Sequence, residues 1–472
     1  MVVLPESDRP RRVLLRRTAG SDRTPYLSRG SREPPMSDQR VVRPTPISGF
    51  PEWTPQVRAV EQRWLDHIRA GFESFGFASV ETPSVENLDV LMAKGETSQE
   101  VYTLHRLQDD ADDDSDAKLG LHFDLTVPFA RYVAQHFNEL TFPFKRYQMQ
   151  RVWRGERPQE GRFREFTQCD IDVINVDSVP LHFDAELPRI VHRVLAPLDI
   201  PAWTLNLNNR KVLQGFYEGL GIKEPIAVIR AVDKLHKIGD DGVREILLSE
   251  GLDSEQADAC LRLARIKSTG TGVADQVREL GVTSELLEEG LDELTFVLED
   301  LADVPNVVAD LSIARGLDYY TGTVYEASFD DDPGYGSICA GGRYENLAGQ
   351  FIRRKLPGVG ISIGLTRIFA KLAAEGRIEE GPKCPTDVMV VVPSAERRAA
   401  ALRTGEELRA RGFNTEVFHS TSKVGKQIQY ASKKGIPFVW FPPFDDEGTH
   451  EVKDMAAGEQ GPADPASWSP QA

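Results

Sequence analysis

Cysteine is scarce in this chain: Cys169, Cys260, Cys339 and Cys384 are the only four among 472 residues, and no two form a CxxC pair. That excludes a disulfide framework and a zinc knuckle, and it fits a reducing cytoplasm. HExxH, HxxxH and clustered Cys/His patterns are missing as well, so no protein-held metal is expected. No run comes near the ~18 apolar residues of a membrane span. Positive charge is not in excess either, since the formal net charge is −17. A protein that coats nucleic acid by bulk attraction needs the opposite field. What is present is ordinary for a globular chain, 40% hydrophobic and 27% charged residues. The length leaves room for about two to four domains.

Against this acidic background two stretches are basic. Residues 145–166 hold seven Lys or Arg against three Glu, and residues 394–439 hold nine against four. Both are candidate polyanion surfaces, although a charge run by itself is more often a solvated face. Residues 1–35 carry eight Arg and no Lys with little apolar periodicity. An arm over 1–40 is therefore expected to be disordered, and translation starting at Met36 is the simpler reading. Six carboxylates within residues 109–116 mark a surface loop.

The spacing of Val57, Val60, Trp64, Leu65, Ile68 and Phe72 predicts a long helix from Pro55, which Gly76 ends before an edge strand running toward Pro83. Strands are expected at 118–123, 145–153 and 164–174. Their connections are too short for crossover helices, so a meander is implied and not a doubly wound sheet. Residues 208–304 turn helical, with helices at 226–248, 253–266 and 284–301, the second opened by Asp253 and Gln256 at capping-box spacing. They read as an inserted module. Strands resume at 317–329 and around Gly341 and Gly358, before a helix at 365–373. A Pro/Gly linker at 376–385 leads into a strand–helix–strand–helix–strand pattern, a small α/β domain over 386–460 with an unstructured tail at 461–472. The fold class expected is mixed α/β. An α+β core on an antiparallel sheet takes 41–207 and 305–375, with the helical insertion between them and the second domain after them.

Chemistry concentrates in a few strings. In Arg151-Val-Trp-Arg154-Gly-Glu156-Arg-Pro158-Gln-Glu-Gly161-Arg162-Phe-Arg164-Glu-Phe166-Thr-Gln168, Arg154 and Arg162 flank a Pro/Gly turn. Their planar donor forks are placed to converge on a phosphate; an exposed hairpin laced with Arg and Glu pairs is the alternative. Pro357-Gly-Val-Gly360-Ile-Ser-Ile-Gly364-Leu-Thr-Arg367 runs from a Gly-rich strand into a helix start, where small residues admit a ligand and the helix terminus attracts anions. Tight packing would also explain those glycines. Two more strings are Ala314-Arg315-Gly-Leu-Asp-Tyr319-Tyr320-Thr-Gly and Ala340-Gly-Gly-Arg343-Tyr344.

The helix–strand–Pro83 unit, the Arg154 hairpin and the Arg367 segment, in that order, resemble the three signature motifs of class II aminoacyl-tRNA synthetases. The Arg315 and Tyr344 strings resemble the two histidine-specific motifs of the histidyl-tRNA synthetase family, and the likeness runs over about residues 45–460. It implies a class II core with a helical insertion and a C-terminal anticodon-binding domain, in a homodimer built around the helix at 55–75 and the strand near Pro83. It implies L-histidine, ATP with substrate-borne Mg²⁺ and tRNA(His) as partners, and no membrane. The reaction implied is formation of histidyl-adenylate with release of pyrophosphate, then transfer to the 3′ end of the tRNA. A non-catalytic regulatory paralogue of histidine biosynthesis is the rival within the family; it lacks the C-terminal domain, which is present here.

Carried over by motif, Asp124 and Thr126 in Asp124-Leu-Thr126-Val-Pro, with Gln168, would hold the amino and carboxylate groups of histidine. Asp172 and Tyr320 would read its imidazole, with Tyr319 and Tyr344 alongside. Arg154, Glu156, Arg162 and Arg367 would bind ATP, Phe166 would stack on adenine, and Arg315 with Arg154 would be catalytic at the α-phosphate. Lys423 and Lys426 are the candidates for tRNA contact. Many bacterial members have Glu where Asp124 and Asp172 stand, a departure of one methylene that changes reach and not charge.

Overall fold

The computed structural model describes residues 43–92, 101–106, 118–314, 316, 319–346 and 348–470. The arm over 1–40, the acidic loop at 109–116 and Arg315 therefore lie outside the described residues. Pro46–Ala472 forms one unit, to which everything below belongs.

The strands are β1 (Ala78–Ser79), β2 (Val85–Asn87), β3 (Leu119–Leu121), β4 (Phe144–Trp153), β5 (Glu165–Ile174), β6 (Trp203–Asn209), β7 (Lys267–Ser268), β8 (Val307–Asp310), β9 (Tyr320–Phe329), β10 (Cys339–Tyr344) and β11 (Gly358–Ile363), followed by β12 (Val388–Val390), β13 (Thr415–Val417), β14 (Phe438–Phe441), β15 (Glu451–Asp454) and β16 (Gln460–Pro462). Among the described residues they make a nine-stranded sheet, β1-β4-β5-β11-β10-β9-β6-β8-β7, a pair β2-β3, and a five-stranded sheet, β13-β12-β14-β15-β16. Within the large sheet β1 runs parallel to β4 and β6 to β8, and the other pairings are antiparallel.

Alternation along β5 decides what the sheet does. Gln168, Asp170 and Asp172 share one face, opposite Gln150, Gln148 and Arg146 of β4, while Ser362 and Gly360 of β11 face Asp170 and Asp172. Cys169, Ile171 and Val173 point the other way into the main core, with Val359, Ile361 and Ile363. Helices His182–Leu195 and Leu365–Ala374 cover that apolar face. Each fully buried aliphatic side chain there is worth roughly 1.5–3 kcal/mol. A one-residue slip would send carboxylates into the core, so the register is strongly specified.

Helix Pro55–Ser74 starts on proline, buries Val60, Ile68 and Phe72, and ends where Gly76 turns at φ +78°. It feeds β1, which is the edge strand expected ahead of Pro83.

The helical block departs from its expected form. The helix expected at 226–248 is two, Pro225–Val232 and Leu235–Ser249, and Gly239 takes the second out of helical geometry at φ +68°. Helix Ser254–Ala264 carries the capping box of Asp253 and Gln256. The block has no core of its own: Phe216, Leu263, Leu287 and Leu291 join the cluster that holds Leu207 and Tyr325 of the sheet. The reason is topological. The chain leaves from β6 and returns through β8, its parallel neighbour, which pins the helices against the sheet.

In the C-terminal domain β12 pairs in parallel with β13 and β14, and helices Arg398–Ala410 and Val424–Lys434 make the crossovers. Val388, Val390, Val392 and Trp440 are fully buried. The unstructured tail expected at 461–472 does not hold for its described part. β16 pairs with β15, and Trp468 packs edge-on to Phe438 and Trp440 with its ring 5.1 Å from Phe413. A large aromatic packed against the side chains of the interior strand β14 outweighs the polar composition around it. No described helix is long and apolar enough to cross a membrane.

Candidate active site

On the polar face of β5, β11 and β10 lies a cavity of about 30 Å³, lined among others by Thr126, Asp170, Asp172, Tyr320, Tyr344 and Ser362. At ~10–15 Å³ for one water, this is room for two or three water-sized groups, the scale of a small planar ring. Ala340 and Ser362 also line a second space, a cleft of about 1190 Å³.

Asp172 is held from two sides: its Oδ2 lies 2.7 Å from Arg146 Nη2, and the Tyr344 hydroxyl donates to Oδ1 at 3.2 Å. Room for this comes from two glycines paired across β10 and β11. A Cβ on Gly360 would stand 2.0 Å from Asp172 Oδ1, and one on Gly342 would stand 2.8 Å from the Tyr320 ring. Burial, then neighbouring Tyr319, raises the Tyr320 hydroxyl well above the usual phenol range; burial and Asp172 do the same to Tyr344. Both stay protonated donors. The Tyr319 ring lies 4.2 Å from that of Tyr320.

Gln168 donates from Nε2 to Ser362 Oγ at 2.7 Å, and its buried Oε1 has no partner in the protein. Thr126 opens helix Thr126–Gln135 and reaches the cavity wall. Asp124 is buried but does not line the cavity: its Oδ1 accepts from Val127 N at 3.0 Å, which places it at the helix start.

Arg154, Glu156, Arg162, Phe166 and Arg367 all line the cleft. Arg162 pairs with Glu156 at 3.2 Å and faces the cleft. Arg154 donates to Phe123 O at 3.1 Å and lies 5.1 Å from the centre of the Phe166 ring. Arg367, in the first turn of helix Leu365–Ala374, donates to Gly161 O at 2.6 Å and Ser337 O at 2.5 Å. It ties the hairpin turn to the strand–helix motif. Arg343, from the Tyr344 string, is not a site residue: it forms a buried bidentate pair with Asp184 on helix His182–Leu195. Lys423 and Lys426 are exposed at the start of helix Val424–Lys434, away from these linings.

Several wall residues escaped the sequence reading. Asp170 and Ser362 line the small cavity and Arg146 pairs with Asp172 on its wall, and the alternation of β5 is the signal that could have found the first. On the cleft wall His236 Nε2 meets Ser312 Oγ at 3.0 Å, Ser312 Oγ donates to Asp310 Oδ1 at 2.5 Å, and Lys267 lies 2.6 Å from Asp310. The hydroxyl stands between the imidazole and the carboxylate, whereas a nucleophilic triad needs the imidazole in the middle. His236 and Ser312 are 76 positions apart, and no local pattern announces them.

A nucleotide-sized cleft laid across an antiparallel sheet, and not at the carboxyl ends of parallel strands, separates this unit from doubly wound nucleotide-binding folds. Its class is that of the class II aminoacyl-tRNA synthetases. Residues 49–368 match the family described as histidyl-tRNA synthetase, and residues 387–467 match the anticodon binding domain. A histidine–tRNA ligase from Thermobifida fusca is 77% identical over 437 residues, 92% of this chain and 100% of that protein. One from Micrococcus luteus is 48% identical, covering 92% and 97%. The crystal structure of histidyl-tRNA synthetase from Nostoc sp. PCC 7120 superposes with a TM-score of 0.78 at 39% identity, over 90% of this chain and 97% of that one. The chain belongs to the histidyl-tRNA synthetase family.

Proposed function

We infer that the chain is a histidine–tRNA ligase, which activates L-histidine with ATP as histidyl-adenylate and then passes the histidyl group to the 3′ end of tRNA(His). The observation that carries this reading is the meeting of the two spaces: a carboxylate-lined cavity of ring size shares Ala340 and Ser362 with an arginine-lined cleft. A ring seated in the first directs its amino-acid carboxylate toward the second.

Asp124, Thr126 and Gln168 take the ammonium and carboxylate ends; the unpartnered Oε1 of Gln168 supports that role. Asp172 and Tyr320 read the imidazole, with Tyr319 beside them and Tyr344 steadying Asp172. In the cleft Arg154, Glu156, Arg162 and Arg367 bind ATP, Phe166 faces adenine, and Mg²⁺ arrives on the nucleotide as part of the substrate. Arg315, with Arg154, carries charge at the α-phosphate. The histidine carboxylate attacks that phosphorus, the bond to pyrophosphate breaks, and the terminal ribose hydroxyl of the tRNA then displaces AMP. Positioning and fixed positive charge supply the rate, since no covalent enzyme intermediate is formed. The C-terminal domain binds the tRNA, with Lys423 and Lys426 at its phosphates.

The working form is a cytoplasmic homodimer built around helix Pro55–Ser74 and the strand near Pro83. A monomeric mass by light scattering, in an active preparation at micromolar concentration, would contradict the dimer. The decisive assay for the reaction is exchange of pyrophosphate into ATP run with each amino acid in turn. Exchange with histidine alone is expected, and no exchange with any amino acid would overturn the reading.

A further inference from the structure

Ser312 lies three positions before Arg315, on the segment by which β8 hands over to the arginine string. That segment is tied down residue by residue. Lys267 stands opposite Asp310 across β7 and β8, with its Nζ 2.6 Å from Oδ2. Asp310 is 1% exposed, and its Oδ1 accepts from Ser312 N at 3.0 Å and from Ser312 Oγ at 2.5 Å. Leu311 N donates to Ile266 O at 3.1 Å, and Asn208 Nδ2 donates to Ile313 O at 2.8 Å. Because the Ser312 hydroxyl gives its one hydrogen to Asp310, it accepts from His236, whose Nε2 therefore carries a proton.

His236, Ile266 and Lys267 all belong to the inserted helical block. The turn that presents His236 stands apart from the helix after it. Lys237 N and Ile238 N both bond back to Lys234 O, and Gly239 then leaves helical geometry, with no other group within 4 Å of where its side chain would be. Asp233, His236 and Lys237 of this turn all line the cleft. The bond to Ser312 fastens the turn to the wall from which the arginine string departs.

We propose that His236 and Ser312 are positioning residues for adenylate formation: through the connected groups of Lys267, Asp310, Ser312 and His236, the inserted block fixes the direction in which the chain enters the Arg315 string. The inference rests on the reading of Arg315 as the charge at the α-phosphate. Fixed positive charge speeds a reaction only when it is already aimed at the place where negative charge develops. A hydrogen-bonded chain in which every proton is assigned favours one arrangement of its members. Misplacement of a reacting group by ~1 Å costs about 100-fold in rate, so the tie acts on kcat and not on affinity.

Pyrophosphate exchange by the full-length protein, with histidine and ATP varied in turn beside a thermal melt, tests this. His236→Ala and Ser312→Ala should each lower kcat about 10- to 100-fold while both KM values stay within about twofold. Both remove one shared contact, so the double variant should be no slower than Ser312→Ala alone. His236→Gln, whose amide nitrogen can donate to the hydroxyl, should recover most of the loss, and His236→Phe, which fills similar space without a donor, should not. His236 is exposed, so its variants should melt with the wild type. Wild-type kcat in His236→Ala, or equal losses in His236→Gln and His236→Ala, overturns the tie. A raised ATP KM at unchanged kcat overturns it in favour of a direct nucleotide contact. Unchanged exchange with slowed transfer of the histidyl group to tRNA overturns it in favour of a contact with the tRNA end. Each of these leaves the ligase reading standing, whereas absence of histidine-dependent exchange in the wild type overturns both.

Discussion

Replacing Gly360 with alanine puts a single methyl group against the amino-acid end of the site. The new Cβ would stand 2.0 Å from Asp172 Oδ1 and 2.6 Å from its Cγ. Unbonded heavy atoms settle at ~3.5–4.0 Å, so the carboxylate must withdraw by more than about 1 Å. It then leaves the position at which Arg146 and Tyr344 hold it. Loss of one charge-assisted hydrogen bond to the imidazole costs about 1.5–3 kcal/mol. At 1.4 kcal/mol per tenfold, histidine KM should rise about 10- to 150-fold. Overpacking adds ~1–3 kcal/mol of destabilisation, visible as a lower melting temperature. ATP KM should stay within about twofold, because Gly360 does not line the cleft. The assay is histidine-dependent pyrophosphate exchange with each substrate varied in turn, beside a thermal melt. A folded Gly360→Ala protein with wild-type histidine KM would refute the assignment of this cavity to histidine.

Three further outcomes are expected. Arg315→Ala should abolish adenylate formation without lowering the melting temperature, since the charge is needed mainly in the transition state; exchange at near wild-type rate would remove Arg315 from the mechanism. Asp184→Asn breaks the buried pair with Arg343 and should destabilise the core by about 3–5 kcal/mol in a chemical melt, a loss that an unchanged transition midpoint would deny. Charge reversal at Lys423 and Lys426 should leave pyrophosphate exchange intact while raising the tRNA KM and flattening its salt dependence; an unaltered salt slope would clear both lysines of phosphate contact.

Much of the architecture is legible in the sequence. The helix from Pro55, the hairpin around Arg154, the Gly-rich strand into the Arg367 helix and the capping box at Asp253 are all signalled within a few residues of chain. The polar members of the candidate site were legible by motif: Thr126, Asp172, Tyr320 and Tyr344 do come together around one cavity. The second carboxylate on the cavity wall was not. Asp170 sits in plain view between Gln168 and Asp172, yet the motif assigned roles only to those two, and what marks it is a buried oxygen that finds no donor.

Periodicity, turn residues and caps act over one or two turns of chain, so they determine which segments are helix or strand and which side chains share a face. Which faces meet is another matter. That Gly360 opposes Asp172, that the helical block shares the sheet's core, and that Trp468 packs on the C-terminal sheet instead of trailing in solvent are settled by pairings between distant segments. Burial and hydrogen-bond satisfaction are properties of such pairings, and a local sequence pattern carries neither.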